Sequence, residues 1–215
     1  MRTRFPSDRF KNAFSLVELL VVIVIIGIIG SFAVPAVGQL LKGSALTQAA
    51  NILTDQTAAA RQQALTRNRS VEVRFFSFVD PEQVGETTPY FRAIQYFEIA
   101  DGGIPNPTGR YVRFPNTVIM NPDPTLSSML SDTPTSPNTN DPDLPRGVGR
   151  KYTYVSFRFQ PDGATSLPAT SLSFITVHLL NDLGRATASN PPPNFFTWMI
   201  DPVSGSSKIM RPGTK

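Results

Sequence analysis

Few side chains in this chain could do chemistry, and the one whose position most needs a chemical reason is Glu18. It is the only charged residue between Lys11 and Lys42, and it stands at the edge of a long aliphatic block. A carboxylate in lipid costs on the order of 2–3 kcal/mol at mid-bilayer and less near an end. Neither a removable secretory signal nor a plain anchor gains anything from that cost. An acid there calls for a cationic partner, and a new α-amino group made by cutting the chain just upstream would supply one.

The other candidates point away from catalysis. There is no cysteine and a single histidine, His178, so zinc sites and Cys-His nucleophiles are excluded. The alternation of Ser173-Phe174-Ile175-Thr176-Val177-His178 sets this histidine beside Phe174 and Thr176 on a face read as semi-exposed, opposite Ile175, Val177 and Leu179. No Gly-rich phosphate loop occurs. Asp141-Pro142-Asp143 carries oxygen ligands of the kind calcium takes, but it reads better as a solvated acidic loop. No catalytic residue, metal site or cofactor is expected, and the chain is not read as an enzyme.

The element that positions Glu18 is plain. From Leu19 to Leu41 there is no charged residue, and LLVVIVIIGIIGSFAV is almost continuously aliphatic. About 20 apolar residues cross a bilayer core as a helix, so the run is long enough. Arg2, Arg4, Arg9 and Lys11 precede it, which sets the N-terminus in the cytoplasm and exports the rest. A secretory signal cut after Ser31-Phe32-Ala33 and an unprocessed anchor are the competing readings.

The run Asn12-Ala13-Phe14-Ser15-Leu16-Val17-Glu18-Leu19-Leu20 resembles the processing site of type IV prepilins and type II secretion pseudopilins. The resemblance covers roughly residues 9–45. It implies a basic leader over residues 1–13, cleavage between Ala13 and Phe14, N-methylation of Phe14, and Glu18 as the assembly residue. Ala13 stands where the family usually has glycine. Gly27 and Pro35 fall where members commonly have a flexible point and a helix kink. The implied partners are a prepilin peptidase/methyltransferase, other pilin or pseudopilin subunits, an inner-membrane assembly platform and membrane lipid. The implied location is the bacterial inner membrane: single-pass, with a periplasmic head, and then a filament.

Beyond residues 14–41, read as a transmembrane and filament-core segment, the helix is expected to continue over 42–69. Leu46, Ala49, Leu53, Ala60 and Ala64 recur at helical spacing, as on an amphipathic helix laid against a sheet. From Phe14 to Arg67 there are 54 residues, a helix of roughly 80 Å. After Ser70 the period changes. Val71–Phe75, Tyr90–Ile99, Tyr152–Phe159, Ser173–Leu180 and Phe195–Ile200 alternate or run β-branched and aromatic. The expected fold is α+β and pilin-like: a long N-terminal helix, its first half transmembrane, packed on an antiparallel sheet within a β-rich head over 70–215. Residues 115–151, with seven prolines, read as a loop or partly disordered insertion.

The turn Phe159-Gln160-Pro161-Asp162-Gly163, the strand Trp198–Asp201 and the turn Ser204-Gly205-Ser206 resemble, more loosely, the end of H-type minor pseudopilins. That implies a minor structural subunit of a pilus or pseudopilus. Two other classes stay open. One is a DNA-binding minor pilin of an uptake system, using the basic tail Lys208, Arg211 and Lys215. The other is a membrane-anchored exported protein with no filament role. The formal charge of +4 does not favour DNA, because residues 70–215 hold 12 basic against 13 acidic side chains.

Overall fold

The computed structural model describes residues 15–212, with the side chains of 32–37 and 39 outside the described set. A helix α1, Leu16–Arg67, is followed by strands and short 3-10 turns. The chain divides into two units between Leu41 and Lys42. Ser15 opens α1: its carbonyl accepts the Leu19 N–H and its Oγ accepts the Glu18 N–H, the two bonds of an N-cap. The helix runs without interruption through Gly27 and Pro35. It stops where Asn68 takes a left-handed conformation, φ 51°, a common way to end a helix.

In the second unit, Leu46, Ala49, Ala50, Leu53, Thr57, Ala60 and Ala64 form one buried stripe of α1. Alanine leaves the helix axis free to approach the sheet. Thr57 keeps its hydroxyl satisfied there by donating to the Leu53 carbonyl at 2.6 Å.

The stripe packs on an antiparallel sheet of nine strands among the described residues. They are β1 Val71–Phe78, β2 Tyr90–Ile99, β3 Pro105–Pro107, β4 Val112–Arg113, β5 Val118–Met120, β6 Tyr152–Phe159, β7 Ser173–Leu179, β8 Phe195–Ile200 and β9 Ser207–Met210. The spatial order is β6-β1-β2-β5-β7-β8-β9, with β3 and β4 paired to β2. Val71, Val73 and Phe75 of β1, with Phe157, Ile175, Val177, Phe196 and Trp198, close the core against α1.

The opposite face of β1, β2 and β6 is covered as well. Phe76, Phe78, Ala93, Phe97, Tyr152 and Tyr154 form a second cluster beneath Leu144 and Val148. Residues 115–151, read as a loop, therefore supply part of the core. Val118–Met120 is the strand that joins the two halves of the sheet, pairing Phe91 with Met120 and His178 with Ile119. Met129 and Leu130 are buried in a 3-10 turn. The apolar residues of this stretch follow no fixed period, so their burial left no pattern to read. Strands β3, β4, β5 and β9 escaped for a related reason, being two to four residues long.

Among the described residues, no helix is long and apolar enough to cross a membrane. The aliphatic run continues in sequence through residues 32–41, where the side chains of 32–37 and 39 lie outside the described set.

Candidate functional site

Ser15 and Glu18 are three residues apart, the spacing of a capping box, and Glu18 occupies the first turn of α1. A carboxylate there is stabilised by the positive end of the helix dipole. This local use of Glu18 went unread in the sequence, although Ser-x-x-Glu before an apolar run is its signature. Glu18 is exposed in the isolated chain, as is every residue from Ser15 to Ile29. Leu16 is 80 % exposed and Ile29 63 %. Among the described residues none buries this stretch, whereas a helix apolar all round is ordinarily a buried one. Ala13 and Phe14 lie outside the described residues.

The comparison with family models decides what this segment is. Residues 8–34 match the prokaryotic N-terminal methylation motif. They carry the type IV prepilin-like signal. The signal implies processing by prepilin peptidase and assembly with other pilin subunits, and it suggests membrane anchoring. It also implies a structural protein. No curated protein and no solved structure matches the chain.

The remaining residues singled out in the sequence are not brought to one place. His178 is fully buried rather than semi-exposed, because residues 121–127 run along β7 and cover that face. Its Nδ1–H donates to the Leu179 carbonyl at 2.7 Å, so Nε2 accepts from the Asn121 amide at 2.8 Å. Burial lowers its pKa. Asp141 is buried instead of solvated. It accepts from Arg74 Nη1 at 2.5 Å and from the Asn138 backbone N–H at 2.8 Å. No cluster of three metal-ligating side chains occurs among the described residues. Lys208 lies on the edge strand β9, with Arg211 just past its end, and Lys215 lies outside the described residues.

The turns at 159–163 and 204–206 do meet. Gly205, at φ 67°, lies so close to the Gly163 carbonyl that a side chain would overlap it. Arg61 of α1 ties them down by donating from Nε to the Ser204 carbonyl at 3.0 Å. Helix, first turn and last turn are thus fixed at one corner of the head.

Sequence reasoning missed the buried charges. Arg74 is sandwiched between the Phe97 and Tyr154 rings, 4.4 and 4.2 Å from their centroids. Burial alone would lower its pKa, but Asp141 and Glu72 outweigh that and raise it. Glu72 also binds Arg158 at 3.0 Å. A second network joins Arg92 to Asp80 and Glu86, and Arg113 to Asp80 and Glu82. Arg92 is the extra residue of a β-bulge, where Phe76 pairs with Ala93 but Ser77 with Phe91. Nearby, burial pushes Tyr111 up to about 12. On β1 the charges alternate with apolar residues as they would on a solvated face, so nothing in the sequence showed that a second layer covers them.

Proposed function

We propose that the chain is a prepilin whose leader is cut between Ala13 and Phe14, whose Phe14 is then N-methylated, and whose α1 is built into a filament as a minor subunit. The observation that carries this reading is the methylation motif over residues 8–34, opening an apolar helix with a single carboxylate in its first turn. Residues 14–41 serve as the membrane segment before assembly and as filament core after it, with Gly27 and Pro35 the places where the helix bends. The head, on this reading, faces the periplasm.

Glu18 then has two uses. Before assembly it completes the first turn of its own helix. In the filament it neutralises the Phe14 ammonium of a neighbouring subunit in a low-dielectric core, where a subunit docked at the wrong height leaves both charges bare. Glu18→Gln removes the charge while keeping the first-turn bond, because the Glu18 backbone N–H is what donates to Ser15 Oγ and glutamine is also accepted three residues after a serine N-cap. The variant should insert normally and enter filaments poorly; normal incorporation would remove the ion pair from the mechanism. Mass spectrometry of the membrane-extracted protein tests processing directly. Loss of residues 1–13 with one added methyl group supports the reading, whereas an intact start or a cut after Ala33 refutes it.

A further inference from the structure

We propose that the hollow beside β4 is an oxyanion-binding pocket that takes one carboxylate or phosphate group. This cavity of about 520 Å³ is lined by three arginines, Arg110, Arg113 and Arg146, with Gln48, Tyr111 and Asn116 among its other lining residues. It lies within the second unit and shares no residue with the N-terminal motif, so it stands independently of the filament reading.

Each arginine is held differently. Arg113 is fixed: its side chain is 7 % exposed, and Asp80 and Glu82 grip its two terminal nitrogens. Its buried Nε has no hydrogen-bond partner. Arg110 has no carboxylate partner among the described residues. Arg146 is 62 % exposed and reaches Glu82 only at 3.6 Å. Taken with Arg92 and Glu86 of the same network, four guanidiniums face three carboxylates and leave one net positive charge. Burial first, and then the neighbouring charge of Arg146, hold Arg113 below its usual pKa, and a bound anion would offset the second of these.

The backbone points the same way. Leu144 and Gly149 bridge, and within that connection Arg146 has φ 58° and Gly147 φ 77°. Successive positive φ values at the centre of a tight turn favour Asn-Gly. Arginine there is strained, and strain of this kind collects at binding sites. The pocket is concave and the head nearly neutral, so it suits one compact anionic group rather than an extended polyanion, which needs a basic stripe along a surface.

The test uses the full-length protein in detergent, titrated with inorganic phosphate or with acetate at constant ionic strength, with chloride as the balancing anion. Calorimetry and melting temperature should show saturable binding of at least one, and the tighter of the two assigns the source as phosphate or carboxylate. Arg146→Asn should melt higher than wild type in chloride, because the turn relaxes, yet bind the anion about tenfold more weakly, the worth of one charge-assisted hydrogen bond. Arg110→Gln should weaken binding likewise, while Arg150→Gln, outside the pocket, should not. The proposal is overturned if neither anion binds saturably, if Arg146→Asn and Arg110→Gln bind like wild type, or if Arg146→Asn melts lower without anion.

Discussion

Replacing Asp141 with alanine should cost the head about 3 kcal/mol. The carboxylate is completely buried, binds Arg74 at 2.5 Å and accepts the Asn138 N–H. Its removal leaves a guanidinium of 3 % exposure short of one partner. Breaking a buried pair by deleting one member costs about 3–5 kcal/mol. The lower end applies because Glu72 still holds Arg74 Nε at 2.5 Å. For a domain of this size that is a fall in melting temperature of roughly 6–12 °C. The assay is thermal unfolding of the detergent-solubilised protein, alongside trypsin digestion. Asp141 anchors the segment that carries Arg146, Arg150 and Lys151, so cleavage there should accelerate as local opening becomes easier. A cycle with Arg74→Met isolates the pair. The double variant should be less destabilised than the sum of the singles by more than about 1 kcal/mol, since no bare guanidinium remains. Strict additivity, or a melting shift below 1 °C for Asp141→Ala, would refute the idea that this ion pair pins the proline-rich segment to the sheet.

Two further outcomes follow from single residues. Gly205→Ala should destabilise the head by about 2 kcal/mol or more, combining a left-handed backbone with overlap on the Gly163 carbonyl; chemical denaturation measures it, and a wild-type midpoint would mean that the two turns do not touch. Burial holds His178 below its ordinary value of 6.5, so the unfolded chain binds this proton more readily than the folded one. The stability it contributes is complete above about pH 6.5 and is lost as pH falls through the lower folded value. His178→Gln should flatten that part of the stability–pH curve, and an unchanged slope would count against a buried neutral imidazole.

The N-terminal motif, the long helix and the five longer strands were legible in the sequence, because each rests on local chemistry. An uncharged aliphatic run, a methylation motif over residues 8–34, a 3.6-residue stripe and two-residue alternation are all written over a few consecutive positions. The buried stripe Leu46, Ala49, Leu53, Ala60 and Ala64 is the clearest instance. What the tertiary structure alone decided is which polar residues lie beneath a second layer. Arg74, Asp141 and His178 each sit where a solvated side chain would be expected from their neighbours in sequence, and each is buried by a segment distant along the chain. The meeting of Arg110, Arg113 and Arg146 has the same origin. Their proximity is set by how β4 pairs with β2 and how the turn at Arg146 folds over the sheet, and long-range pairing of that kind leaves no periodic trace in the residues that it joins.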